Sequence, residues 1–404
     1  MADDRIVGPS KPSLRVRYRL TQWWLRVLVV FVVSRIVTTA LLLSFAARQP
    51  ANAWTQASPG YFDFARIWDG HWYSIIAATG YPAELPITDE GRVGENAWAF
   101  MPVYPMLVRL LMVLTTLDYG VVAVAVSVVF ALAAALMFYK LMRLVLPEGS
   151  ALFAVALYCF APLSPILQVA YAESMHAFLL TLALYLLLQR RYWMLLPVIA
   201  VMALTRPSGL AFALALAMHV VYRWVVRARD PFPVRERVAS VVVGLFSALM
   251  GVAWLLIAWA VTGSFTAYTD TELAWRAPYV GYGELVPFTP WVQGAEFWLG
   301  TPAGPIALGV LVVAFAAFLF TPAVRRLGVD LQFWSASYAL YLLAVFFPQS
   351  STFRLLLPLF PLWGALAQPT SWLSRSVLLA ACIAGQWGWI HIAWWVDGYD
   401  WTPP

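Results

Sequence analysis

Long apolar runs follow one another along the chain from residue 23 to residue 395, and that pattern limits the fold more than any other feature. The first, residues 23–46, holds 24 residues with no acid and only Arg26 and Arg35 as charges. About 20 such residues cross a bilayer as a helix. In hydrocarbon every backbone N–H and C=O must be paired inside its own segment, which leaves helices or closed barrels. Runs this long argue helix. Composition agrees, at 62% hydrophobic against 11% charged. Too few polar residues remain to cover a soluble globule. Disordered, fibrous and disulfide-framed secreted classes are excluded. Cys159 and Cys382 both lie within apolar runs and read as packing residues.

Further apolar segments fall at 119–142, 150–170, 174–188, 192–204, 209–226, 238–261, 305–320, 331–347, 355–366 and 376–395. The stretch 98–117 contains Pro102, Pro105 and a central Arg109, and reads as an interfacial or re-entrant helix. Eleven crossings with the N-terminus inside leave 17 of the 26 basic residues on the inner side and 7 outside. Of the 20 acidic residues, 14 fall outside. That is the positive-inside pattern. The basic excess therefore faces the cytoplasm and its anionic lipids, and is no nucleic-acid footprint. The expectation is one all-α polytopic domain over residues 1–404, multi-pass in the cell membrane, with a cytoplasmic N-terminus. Its long outer loops are 47–118 and 262–303. Polar and aromatic residues gather there, so the chemistry is expected to face outward.

The densest polar cluster runs from Tyr61 to Tyr73 and includes Asp63, Arg66, Asp69, His71 and Trp72. In a continuous helix Asp63, Arg66 and Asp69 would share a face. An acid walled by aromatics at a membrane surface can serve as a general base. The same cluster also fits an aromatic interfacial belt with solvated charges.

The run Arg66-Ile-Trp68-Asp69-Gly-His71-Trp72-Tyr73, then Gly80-Tyr81 and Ala99-Phe100-Met101-Pro102-Val103-Tyr104-Pro105, resembles the GPI mannosyltransferase II (PIG-V type) family. That family belongs to the GT-C superfamily of membrane glycosyltransferases. Tyr171-Ala-Glu173-Ser174, Thr205-Arg206-Pro207-Ser208-Gly209 and Phe353-Arg354-Leu-Leu-Leu-Pro358-Leu-Phe-Pro361 follow in the family's order. Met101 stands where the family usually has Phe. The resemblance implies a GT-C type fold, a polyprenyl-phosphate-mannose donor, inversion, and an acidic base in the first outer loop, which maps onto Asp69 with Asp63 as second candidate. The bias to arginine, 24 of 26 basic residues, suits a bacterial member with a GC-rich genome. The acceptor is then a glycolipid, lipoglycan or protein of the cell envelope and not a GPI anchor.

The residues taken alone suit this chemistry. A lipid phosphate is already a good leaving group and needs positive charge, not a proton. Arg354 and Arg206, at outer helix ends, are expected to hold it as bidentate forks. Glu173 and His176 share a helix face and, with Arg66, His71, Trp72 and Tyr73, are candidates for substrate contact. Two ligands on one helix are too few for a metal site, though a divalent ion is compatible with them. His219 and mid-helix Arg35 read as structural, and His391 as part of a Trp-rich anchor. Phosphate-loop, dinucleotide, zinc-protease and serine-hydrolase signatures are absent from the sequence. The competing class is a secondary transporter or lipid flippase, which would line its ionisable groups through the bilayer middle.

Overall fold

The computed structural model describes residues 21–283 and 285–396. Among these residues all regular structure is helical apart from one isolated bridge, Ile87 to Val93. This is the all-α membrane architecture that the sequence implies. Among the described residues four helices are long and apolar enough to span a bilayer: α1 (Trp23–Ala46), α5 (Tyr119–Arg143), α10 (Val234–Thr262), and α18 (Trp372–Trp389) with its π-helical extension to Trp394. Seven shorter apolar helices of 10–17 residues accompany them.

The stretch 47–118, expected to be the first outer loop, holds α2 (Tyr61–Phe64), α3 (Asp69–Thr79), a 3-10 turn at Ala97–Ala99 and α4 (Val103–Thr115). At about 1.5 Å per residue, the 13 residues of α4 measure about 20 Å, as short as the helices Glu148–Phe160 and Tyr192–Ala203 further along the chain. After α5 come α6 (Glu148–Phe160), a 3-10 turn at Ser164–Gln168, α7 (Glu173–Leu188), α8 (Tyr192–Ala203) and α9 (Gly209–Val225). Beyond α10 lie α11 (Ala267–Val280), α12 (Thr289–Leu299), α13 (Ala303–Leu319), α14 (Pro322–Arg325) and α15 (Val329–Val345). Short pieces follow at α16 (Thr352–Leu355), a 3-10 helix at Leu357–Leu362, and α17 (Trp363–Leu366).

Two expected segments are thus broken. Residues 150–170 do not form one helix, because α6 stops at Phe160 before Pro162 and Pro165. Its freed carbonyls are satisfied inside the core. Arg35 donates to Cys159 O at 2.7 Å and Ser164 O at 3.1 Å, and Gln386 donates to Phe160 O at 2.9 Å. Gln386 in turn accepts from Thr38 at 2.8 Å, so polar bonds tie α1, α6 and α18 together. Residues 355–366 are likewise three short turns, interrupted at Pro358 and Pro361.

Charges sort to the two ends of the bundle. Arg26–Glu148, Arg190–Asp230, Arg223–Glu236 and His219–Asp330 pair at the end expected to face inward. His219 also bonds Tyr192, which makes it a structural histidine. At the other end His391 stacks between Trp387 and Trp395, with ring centroids 5.3 and 5.4 Å away. The crossing of α9 and α10 is unusually close: a Cβ on Gly209 would lie 2.7 Å from the Cα and N of Gly251.

Candidate active site

Asp69 opens α3, where the helix dipole favours an acid. The residue before it, Trp68, has φ +58°, a left-handed conformation that a side chain of this bulk adopts at a cost of about 1–3 kcal/mol. Such strain persists only where neighbours over-determine the backbone. Here they do: Ala170 donates to Ala65 O at 2.9 Å, Trp394 donates to Phe64 O at 3.0 Å, and Tyr61 donates to Gln168 O at 2.9 Å. The Asp69 backbone N–H itself donates to the Tyr171 hydroxyl at 3.0 Å. The turn 65–68 and the broken end of α6 are therefore one rigid unit, and Asp69 is aimed by it.

Arg354, on α16, reaches Asp69 from 285 positions along the chain, its Nη1 on the Asp69 Oδ2. Its Nε lies 3.5 Å from Glu173 Oε1, and its guanidinium sits 5.5 Å from the Tyr171 ring centroid. Glu173, the first residue of α7, also takes Arg206 Nη1 at 2.8 Å. Glu173 is 2% exposed and Arg354 8%. The result is a quartet of two acids and two arginines, formally neutral. His176, one turn along α7 and buried, bonds Ser208 at 2.9 Å, whose hydroxyl also donates to Arg206 O.

Asp69, Tyr73, His176, Arg206 and Arg354 line one cavity of about 410 Å³. A second stretch of its lining comes from α11, with Tyr268, Glu272, Trp275 and Arg276. The sequence reading did not single out Glu272. Its only signal was the 268, 272, 275, 276 spacing, which is a stripe on one helix face. Burial pushes the Glu272 carboxyl above its ordinary range, against the opposing pull of Arg276 and Tyr268.

Other sequence candidates lie elsewhere. The 61–73 run is two helices with a turn between, so Asp69 does not share a face with Asp63 and Arg66. Those two pair with each other at 2.8 Å, each about half exposed. His71 is largely exposed and edge-on to Trp54, and the pKa of its imidazole is lowered from the usual range, first by the partial desolvation of its ring and then by Arg66. Neither His71, Asp63 nor Arg66 lines the cavity. Trp72 stacks on Phe100 at 5.8 Å and meets Trp275 edge-on, so it backs the lining. Arg35 bonds only oxygens of its neighbours, among them Gln168 Oε1 at 3.0 Å. Among the described residues no group of three or more His, Cys, Asp or Glu could hold a metal ion.

Comparison with curated proteins finds no match. Two solved structures resemble the chain in shape. One is the crystal structure of the Archaeoglobus fulgidus oligosaccharyltransferase tethered to an acceptor peptide containing the NVT sequon. It is 13% identical with a TM-score of 0.49, over 91% of this chain and 54% of that one. The other is the archaeal oligosaccharyltransferase AglB from the same organism, in complex with an inhibitory peptide and a dolichol-phosphate. It is 14% identical with a TM-score of 0.38, over 94% and 50%. This chain spans about half the length of either. The family model described as Mannosyltransferase (PIG-V) matches residues 13–273, well over half of the chain, and the chain belongs to that family.

Proposed function

We propose that the chain transfers mannose from a polyprenyl-phosphate-mannose donor to a glycolipid, lipoglycan or protein acceptor on the extracytoplasmic side of the cell membrane, with inversion at the anomeric carbon. The observation that carries this reading is the meeting of Asp69 and Arg354, distant in sequence, on the wall of one cavity with Arg206 beside them. Arg35, the one charge expected near mid-bilayer, is bonded as a structural staple. That supports an enzyme over a transporter.

In the resting site Asp69 is held by Arg354, whose guanidinium occupies one of its carboxylate oxygens. The donor's phosphate diester is an anion that competes for the same guanidinium, with fork geometry in its favour. As Arg354 turns to phosphate, Asp69 is released to accept a proton. The acceptor oxygen then forms its bond to the anomeric carbon from the face opposite the leaving group. The bond from that carbon to the phosphate oxygen breaks, and the electron pair leaves with polyprenyl phosphate. The acceptor's proton ends on Asp69. Arg354 and Arg206 stabilise the growing phosphate charge more than the bound donor, which lowers the barrier. The test is transfer of radiolabel from polyprenyl-phosphate-mannose, with polyprenyl-phosphate-glucose in parallel, to glycolipid and protein acceptors by the purified protein. Transfer of mannose alone is expected, and no transfer of label overturns the reading.

A further inference from the structure

Helix α11 has two unlike faces. Ala267, Thr271 and Ala274 are buried, and they dock the helix on the first outer loop. Asn96 donates to the Thr271 hydroxyl at 2.9 Å, and Ala267 packs in the cluster of Trp98, Met101 and Trp254. The other face carries Tyr268, Glu272, Trp275 and Arg276 into the cavity that Asp69 and Arg354 also line. Arg276 is anchored there, its guanidinium donating to Val345 O, a carbonyl left free where α15 ends. Glu272 is hydrogen-bonded to Tyr268 on the same helix face. The indole N–H of Trp275 is buried and finds no acceptor among the described residues. A buried indole donor without a partner, beside a cavity that a carboxylate also lines, is a group in want of a ligand.

We propose that this face of α11 is the acceptor subsite and that it takes a neutral pyranose, with Glu272 accepting hydroxyl protons and Trp275 supplying an aromatic wall and its N–H. The proposal rests on the transferase reading above and specifies its acceptor. The charge layout divides the cavity: Arg206 and Arg354 draw a phosphate to one wall, while on α11 Glu272 is balanced by Arg276, which leaves no net positive charge there for a phosphate. A neutral polyol loses nothing to that carboxylate and gains two hydrogen-bond acceptors. A sugar ring also offers a C–H face to an aromatic side chain, which an extended peptide does not. Burial raises the Glu272 carboxyl although Arg276 and the Tyr268 hydrogen bond pull the other way.

The experiment uses the full chain in nanodiscs, with octyl α-D-mannopyranoside below its micelle concentration as sugar probe and a Ser/Thr-containing peptide as comparison. Binding of radiolabelled probe without donor, and separately the KM and kcat of transfer, are measured for wild type, Glu272→Gln and Trp275→Phe. Loss of one charge-assisted hydrogen bond corresponds to about a 10- to 100-fold rise in acceptor KM for Glu272→Gln. Probe binding should weaken in step, with donor KM unchanged. Trp275→Phe, which keeps an aromatic face but removes the indole N–H, should show a smaller rise in the same constant. Unchanged probe binding and acceptor KM in Glu272→Gln overturn the subsite, as does a collapse of kcat with acceptor KM preserved, or use of the peptide in place of the sugar. If wild type binds the probe through Glu272 yet transfers no mannose, the subsite stands and the transferase reading falls.

Discussion

Arg354 serves two acids at once, so its removal has two separable effects. Arg354→Ala leaves the buried Glu173 with Arg206 alone and Asp69 with no ion pair. Breaking a buried pair from one side costs about 3–5 kcal/mol, a loss to be seen in thermal unfolding. On the mechanism proposed, polyprenyl phosphate binding also weakens, and Arg354→Lys keeps charge but loses the fork. Wild-type affinity in the Ala variant would falsify the phosphate role while leaving the structural one. Asp69→Asn gives an opposite-signed result. Turnover should fall about 10²–10⁴-fold, the usual worth of a general base. Yet polyprenyl phosphate should bind more tightly, because Arg354 is no longer engaged by a carboxylate. Near-normal turnover in a folded Asp69→Asn protein removes Asp69 as the base. Both residues were visible in the sequence; their contact was not, since nothing local in two motifs 285 positions apart brings them together. Glu272 was passed over for a related reason. An acid in an outer loop looks solvated until a helix face and a cavity are known.

The broken end of α6 shows how an element can be legible in hydropathy and misread in form. Residues 150–170 are apolar enough for a span, but Pro162 and Pro165 end the helix early and send the chain back toward Asp69. The prolines were in plain view. The compensation was not, because it comes from Arg35 on α1 and Gln386 on α18. Arg35→Leu should orphan the carbonyls of Cys159 and Ser164 at about 1–3 kcal/mol each, lowering the melting temperature. Transfer should also fall, although Arg35 does not line the cavity, because Gln168 and Tyr171 ride on the same segment. An unaltered melting curve for Arg35→Leu means those carbonyls find other donors.

At the scale of the molecule, side was read from charge alone. Glu148, counted inside, pairs with Arg26 at the N-terminal end of α1, and Arg375, also counted inside, approaches Ser150 on α6 beside Glu148. A reporter fused at Pro147 should therefore read cytoplasmic and one at the C-terminus external; an external reading at Pro147 inverts the topology. Hydropathy marked where apolar segments fall but could not separate a crossing from a short buried helix, because several of these helices are shorter than a bilayer is thick. The close crossing of α9 and α10 bears on traffic. Leu210 and Gly251 both lie in the cavity lining, and the two backbones meet there without room for one added carbon. No hydrocarbon tail can thread such a seam. A lipid-borne substrate must approach the cavity from another side of the bundle, its headgroup arriving while its chain stays in the bilayer, and the two glycines act as a bolt on the wall they share.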